Sequence, residues 1–290
     1  MNTLTFKDYN LKLELVPFTN IIGGIASGKT YLLKTLINQS DSSSVFIDDK
    51  NINEYDINFL RKNITAVLNN FIFNTSKVKS ELEYYQKCLN YDSKTIESNI
   101  KKFVTFFKLN NIIDKEIGET TRSEKAFIKI LSLLIINPRI IGIDDMLTYL
   151  DNKDKLKIVK YGKENKISIL NVTSNSEELL LGTKIVVLDN FHSVMYEDTL
   201  EVLSNDKVLS KIGMNMPFIA ELSNNLNYYD LLKEKLNIEG LTIVQNNDLG
   251  QDVKHYHVHL IPRYKDDYWK MNFSQESLKN VDEIYNEINN

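Results

Sequence analysis

Apolar and polar positions along the chain follow two rhythms that take turns. Leu11 to Ile22 begins with an apolar residue at alternate positions and becomes continuously apolar, the pattern of strands ending at Gly23 and Gly24. From Thr30 to Asn38 the apolar residues Leu32, Leu33, Leu36 and Ile37 recur at helical spacing. Val45 to Ile47 predicts a short strand, and Lys77 to Ile113 a long polar helical stretch with few turn signals before Gly118. Ser123 to Asn137 predicts an apolar-rich helix halted by Pro138. Arg139-Ile140-Ile141-Gly142-Ile143-Asp144-Asp145 reads as a buried strand ending in two carboxylates, and Ile167 to Val172 and Lys184 to Asp189 as further apolar strands. Strands that alternate with helices predict an α/β fold with a largely parallel sheet covered on both faces.

Past about residue 205 the texture changes, so two domains are expected, residues 1–205 and 206–290. Met216 to Leu236 reads as a helix with Pro217 near its start. Gly240 to Val244 and Val253 to Pro262 read as paired strands with a turn near Asn246 to Gly250. Phe273 to Ile288 closes the chain as a helix with Ser274 as its N-cap. Neither an internal repeat nor a low-complexity linker separates the two parts.

Composition narrows the class. A chain of 290 residues, 42% hydrophobic and 26% charged, suits a soluble globular protein with a sizeable core. The net charge of −4 provides no basic field for nucleic acid or anionic lipid. Cys88 is the single cysteine, which excludes an intrachain disulfide framework and fits a reducing compartment. Lys7 and Asp8 fall where an apolar leader would begin, so no secretory signal is expected. The longest apolar run, Ile130 to Ile136, is interrupted by Ser132 and is too short to span a bilayer.

Candidate chemistry falls in two places. Gly23-Gly24-Ile25-Ala26-Ser27-Gly28-Lys29-Thr30 spells the phosphate loop G-x-x-x-x-G-K-[ST] between a predicted strand and a predicted helix. That context matters because backbone N–H groups and the helix N-terminus must converge on the phosphates. A glycine turn with a surface lysine is the plainer alternative, and the placement disfavours it. In the phosphate-loop reading Gly23 and Gly28 shape the loop and Lys29 reaches the β- and γ-phosphates of ATP. Thr30 then ligates Mg²⁺, and Asp144 at its strand end supplies the carboxylate for the same ion. The plainer alternative for Asp144 is a solvated strand end. Near the other end, His255-Tyr256-His257-Val258-His259 sets three of the chain's four histidines on one side of a strand. Imidazole near neutral pH is both a nucleophile and a proton carrier. Surface histidines, an adventitious metal site and a folded remnant compete with a catalytic role.

Over residues 1–205 the order of these segments resembles an ATP-binding-cassette (ABC) ATPase. Asn137 to Asp151 resembles that family's Walker B strand and D-loop, Ile47 to Ile52 with Leu60 to Ile64 the approach to its Q-loop, and Val172-Thr173-Ser174 its H-loop strand. Val208 to Phe218 resembles the tail of the energy-coupling-factor branch. The resemblance implies a P-loop NTPase with a parallel-sheet core and a helical subdomain. It sets Asp145 at the catalytic glutamate, Ser174 at the switch histidine, Asn69 at the Q-loop glutamine and Tyr9 at the adenine-stacking aromatic. Where the family carries L-S-G-G-Q this chain has Thr120-Thr121-Arg122-Ser123-Glu124, and the bulk of Arg122 is expected to obstruct a partner's ATP. Together these departures imply good ATP binding and poor hydrolysis on the chain's own motifs.

Over residues 218–290 the chain resembles the second half of a histidine-triad (HIT) nucleotide-hydrolase domain, through Gly240 to Asn247, Gly250 to Val253 and His255 to Tyr264. That resemblance implies a small α+β module in which His257 attacks an α-phosphorus, His255 and His259 tune it and donate protons, and Asn246 and Gln251 contact phosphate oxygens. The family's N-terminal half has no counterpart, and Asp252 stands where a small hydroxyl residue is common. The expected function is the ATP-binding subunit of an energy-coupling-factor-like importer. Such a subunit needs a second ATPase subunit, identical or different, and a membrane-embedded coupling protein, and no nucleic acid. It would be cytoplasmic and peripheral on the inner face of the cell membrane. The rivals are a HIT-type nucleotide-phosphate hydrolase or sensor on a degenerate cassette scaffold, and an interaction module with both sites inert.

Overall fold

A computed structural model describes residues 1–218, 220–221, 238–244 and 259–265. The chain divides into two compact units, residues 1–221 and 222–290. In the first unit β1 (Thr3–Phe6), β2 (Leu11–Glu14) and β3 (Phe18–Gly23) lead into α1 (Lys29–Leu36), followed by β4 (Val45–Ile47), β5 (Lys50–Asn51), α2 (Ile57–Asn63) and β6 (Ile64–Val67). Three helices come next, α3 (Val78–Cys88), α4 (Ser93–Phe107) and α5 (Arg122–Leu134), and then β7 (Ile140–Asp144), α6 (Asn152–Glu164) and β8 (Ser168–Val172). The unit ends with β9 (Lys184–Asp189), β10 (His192–Asp198), α7 (Thr199–Leu203) and α8 (Asp206–Lys211).

The main sheet has six strands in the order β10-β9-β3-β8-β7-β6. From β9 to β6 all neighbours are parallel, and β10 alone turns back antiparallel along β9. The largely apolar strands are the interior ones: β7 and β8 are buried along their whole length, as a strand with helices on both faces must be. Beside it lies a four-stranded antiparallel sheet, β2-β1-β4-β5. Its strands alternate buried and exposed residues, Leu11 and Leu13 inward and Lys12 and Glu14 outward, so this sheet covers core on one face only.

One apolar cluster gathers α3, α4 and α5 through Leu82, Ile100, Phe103, Phe107, Leu131 and Leu134 and runs on to Ile141 and Ile143 of the sheet. A second joins the antiparallel sheet to α1 through Leu4, Phe6, Leu13, Leu32 and Leu36. The helices of the first cluster correct one expectation. Lys77 to Ile113 is not a single helix but α3 and α4, because Asn90 adopts a left-handed φ of +58° and Asp92 caps the new start by accepting from the Thr95 amide. Two short polar residues, with neither glycine nor proline, make the break.

In the second unit β11 (Gly240–Val244) and β12 (His259–Arg263) pair antiparallel, with Gly240 opposite Arg263 and Val244 opposite His259. The Arg263 guanidinium donates to Thr242 Oγ1 at 3.1 Å. The expected pairing is present over these residues, while the expected turn at Asn246 to Gly250 and the start of the second strand from Val253 lie outside the described residues. The helix expected at Phe273 to Ile288 and most of the one expected at Met216 to Leu236 lie outside the described residues.

Candidate functional site

Parallel strands bring their C-terminal ends to one edge of the sheet, and that is where the candidate groups of the first unit meet. Ligands in open α/β sheets bind at this edge. β3 is interior, between β9 and β8, and delivers Gly23 to Thr30; β7 delivers Asp144 and Asp145; β8 delivers Thr173 and Ser174.

The loop is shaped by close approaches. A β-carbon at Gly23 would lie 2.3 Å from the Leu188 carbonyl oxygen, so a side chain cannot fit there. Gly28 has a φ of +95°, a left-handed conformation that favours glycine, and caps α1 without any side-chain hydrogen bond. The first amides of α1 are therefore left for a ligand. Lys29 Nζ folds over the loop and donates to the carbonyls of Gly23 and Gly24 at 2.7 and 2.8 Å and to Ser27 Oγ at 3.2 Å. Burial lowers the Lys29 ammonium, while Asp145 and Asp144 pull it back up.

Thr30 Oγ1 donates to Asp144 Oδ2 at 2.9 Å. Asp144 is 3% exposed, and burial raises its carboxyl above the ordinary range; the Thr30 hydroxyl, the Asn69 backbone amide and Lys29 pull the other way. A carboxylate that is poorly solvated and close to a hydroxyl suits a hard cation with oxygen ligands. No cluster of three or more His, Cys, Asp or Glu groups able to hold a metal occurs among the described residues. A Mg²⁺ ion between Thr30 and Asp144 would thus take its other ligands from phosphate and water. The residues present fit a nucleoside triphosphate with its Mg²⁺.

Asp145, with a φ of +52°, turns sharply out of β7. Its Oδ1 accepts from both the amide and the hydroxyl of Ser174, at 2.9 and 3.0 Å. The structure thus joins the two residues that the sequence sets at the catalytic glutamate and the switch histidine. Asn69 is brought in as well, through its backbone amide.

At the N-terminus of α5, Thr121 Oγ1 accepts from the Glu124 amide at 3.1 Å and Glu124 Oε2 accepts from the Thr121 amide at 2.7 Å. This reciprocal cap satisfies the Thr121 and Glu124 amides and sets a carboxylate at the helix end. Arg122 is exposed and lies along two aromatic rings. Its guanidinium lies 4.4 Å from the Tyr149 ring centroid and 5.5 Å from that of Phe71, and donates to the Tyr149 hydroxyl at 3.0 Å.

Tyr9 requires a correction. It is 2% exposed, its hydroxyl donates to the Gly28 carbonyl at 2.9 Å, and it lies against Phe191. Its ring supports the phosphate loop from within and has no face free for a base. Phe191 and Tyr31, which carry exposed rings beside the loop, are missing from the sequence reading; the available signal was a phenylalanine in the two-residue Asn190-Phe191 turn, where glycine is preferred. Of the histidine-triad residues, His259 lies in β12, whereas His255, His257, Asn246 and Gln251 lie outside the described residues.

Comparison with known proteins agrees with this geometry. Residues 6–148 match the family model described as ABC transporter. The chain is 25% identical over 234 residues to the energy-coupling factor transporter ATP-binding protein EcfA1 of Mesomycoplasma hyopneumoniae, covering 78% of this chain and 86% of that protein. It is 24% identical over 254 residues to EcfA of Onion yellows phytoplasma, covering 86% and 90%. Among solved structures, cbiO1 from Clostridium perfringens, part of the ABC transporter complex cbiONQ, superposes with a TM-score of 0.61 at 19% identity, covering 74% of this chain and 90% of that one. A nucleotide-free ATP-binding cassette from an ABC transporter gives 0.58 at 18% identity, covering 72% and 97%. The fold is that of a P-loop ABC-type ATPase.

Proposed function

We propose that this chain is the ATP-binding subunit of an energy-coupling-factor-like ABC importer, coupling ATP binding to membrane uptake of a micronutrient. One observation carries the reading: at a single sheet edge, an uncapped α1 N-terminus, Lys29 and the Thr30–Asp144 pair converge on one point. Gly23 to Thr30 would hold ATP, and Thr30 and Asp144 would hold the Mg²⁺ that neutralises its phosphates. ATP supplies the phosphoryl group whose binding and cleavage drive transport. The chain's own residues orient it: α1 amides and Lys29 face the phosphates, and Asp144 keeps its negative charge beside the cation.

Hydrolysis by this chain alone is weak in this reading. Asp145 is one methylene shorter than glutamate and already accepts two bonds from Ser174, which has no imidazole with which to carry charge. At the α5 end the bulk of Arg122 and the Glu124 carboxylate stand where a partner's triphosphate would approach. The relatives are named as transporter ATP-binding proteins, and one neighbour as part of a complex. We accordingly assign this chain a second ATPase subunit and a membrane-embedded coupling protein as partners, and a cytoplasmic place at the inner face of the membrane. No helix among the described residues is long and apolar enough to cross a membrane.

The test is calorimetric titration of Mg-ATP. Lys29→Ala removes a charge-assisted contact worth ~1.5–3 kcal/mol, so affinity is expected to fall by about tenfold or more; unchanged affinity refutes the assignment.

A second reading concerns residues 218–290. There the sequence suggests a partial HIT-like module, with His257 as nucleophile and His255, His259, Asn246 and Gln251 around it; the β11–β12 pair is compatible with it but carries none of these roles. A phosphate nucleophile also needs a wall that holds the nucleotide in attack geometry. Half a domain supplies no such wall, so cleavage of AMP esters is expected to be negligible in wild type. Robust cleavage that is lost in His257→Ala would make the hydrolase reading the leading one.

A further inference from the structure

A nucleoside triphosphate carries its base one ribose beyond the α-phosphate. The surface that receives the base must therefore lie beside the phosphate loop, not within it. Two exposed aromatic side chains stand there, Phe191 at 45% and Tyr31 at 42% exposure.

Phe191 sits in the two-residue turn between β9 and β10, where Asn190 and Phe191 have φ values of +46° and +62°. A residue with a β-carbon is strained in that region, and glycine is the usual occupant of such a turn. Strain of this kind persists where the surroundings hold it, and it gathers at functional sites. Here the surroundings are the phosphate loop itself. The Phe191 amide donates to the Ser27 carbonyl at 3.1 Å. Its ring lies so close to Gly28 that a β-carbon there would be 2.7 Å from Phe191 Cδ1. The Tyr31 ring meets it edge-on, with centroids 5.8 Å apart and planes at 75°. Buried Tyr9, 6.0 Å away, backs it from below.

This is a costly position for a side chain that leaves nearly half of its own surface in water. Burial of the ring by the protein alone does not account for it; a flat apolar ligand laid on the ring does. We propose that Phe191, steadied by Tyr31 and backed by Tyr9, is the surface on which the base of the bound nucleoside triphosphate stacks. The inference rests on the ATP-binding reading above and adds to it the residue that recognises the base. Recognition is by the π-face, which every base offers.

The experiment compares two ligands, Mg-ATP and inorganic tripolyphosphate with Mg²⁺, by calorimetry on the full chain. The proteins are wild type, Phe191→Gly, Phe191→Tyr and Lys29→Ala. Glycine suits the turn's φ, so Phe191→Gly is expected to keep the fold, which its circular dichroism spectrum checks. It should bind ATP about tenfold more weakly and tripolyphosphate as wild type does. Phe191→Tyr keeps a ring and should match wild type with both ligands, whereas Lys29→Ala should weaken both. Unchanged ATP affinity in Phe191→Gly overturns the proposal. So does an equal loss for both ligands, which would make Phe191 a support of the loop. Wild type that binds tripolyphosphate as tightly as ATP refutes base stacking but leaves the phosphate loop standing; wild type that binds neither refutes the ATP-binding reading itself.

Discussion

Asp144 holds a carboxylate where the nucleotide-free protein would be better off without one. Burial raises its carboxyl, so the ionised form is disfavoured in the folded state relative to the unfolded chain. A raised folded value means that the stability contribution is full below the unfolded carboxylate range and is lost as pH climbs through the raised one. At neutral pH Asp144→Asn should therefore melt at a higher temperature than wild type in the absence of nucleotide. The gap should close as the pH drops below the ordinary carboxylate range. The same variant should lose the extra thermal stabilisation that Mg²⁺ adds to ATP, so paired melting curves with and without Mg-ATP check both halves. At this scale the grouping was legible where a motif fixes position: Lys29, Thr30 and Asp144 lie together at one sheet edge. Tyr9 was not, because its burial depends on Phe191, which is far along the chain and reaches it through β-sheet pairing.

Among the elements, α5 carries its own ligand in Glu124. The Thr121 amide holds that carboxyl below its ordinary range, with Lys115 assisting. Thr121→Ala removes the side-chain half of the cap and is expected to cost about 1 kcal/mol, read from urea denaturation at pH 7. A depressed folded value means that the Glu124 contribution is present above the unfolded carboxylate range and fades as pH falls through the depressed one. In acid the wild type should therefore lose part of its advantage over Glu124→Ala. The strands were legible because buried parallel strands are largely apolar, as in β7 and β8. The division of α3 from α4 was not. Asn90 and Asp92 resemble ordinary helix-surface residues until a left-handed φ and a cap bond give them another role.

In the molecule as a whole, a buried polar thread ties the sheet to the helix behind it. Lys155 of α6 and Glu178 pair at 2.9 Å with side-chain exposures of 7% and 1%, and Asn171 of β8 donates both to Glu178 and to Asn20 of β3. Removing one partner leaves an uncompensated buried charge, so Glu178→Ala should destabilise the fold by ~3–5 kcal/mol in urea denaturation. Replacing Lys155 and Glu178 together by methionine and leucine should cost far less. No sequence pattern joins residues 20, 155, 171 and 178; their meeting is a product of strand order, which places β3 beside β8.

The carboxylate at the end of α5 bears on how many molecules of each kind a cell must make. In the head-to-tail pairing that the ABC resemblance implies, each triphosphate is shared between one chain's phosphate loop and the other's α5 end. Two copies of this chain would then offer two seats, each facing the other copy's Glu124 carboxylate, and neither seat would be productive. In a pair with an unlike chain, this chain's loop could be completed by an intact partner end, yet that seat still relies on Asp145 and Ser174, so a single-turnover burst should release well under two phosphates per pair. If the second ATPase subunit is an unlike chain, equal stoichiometry of the two becomes a requirement of supply. An excess of this one would act as a sink, trapping ATP in pairs that do no work.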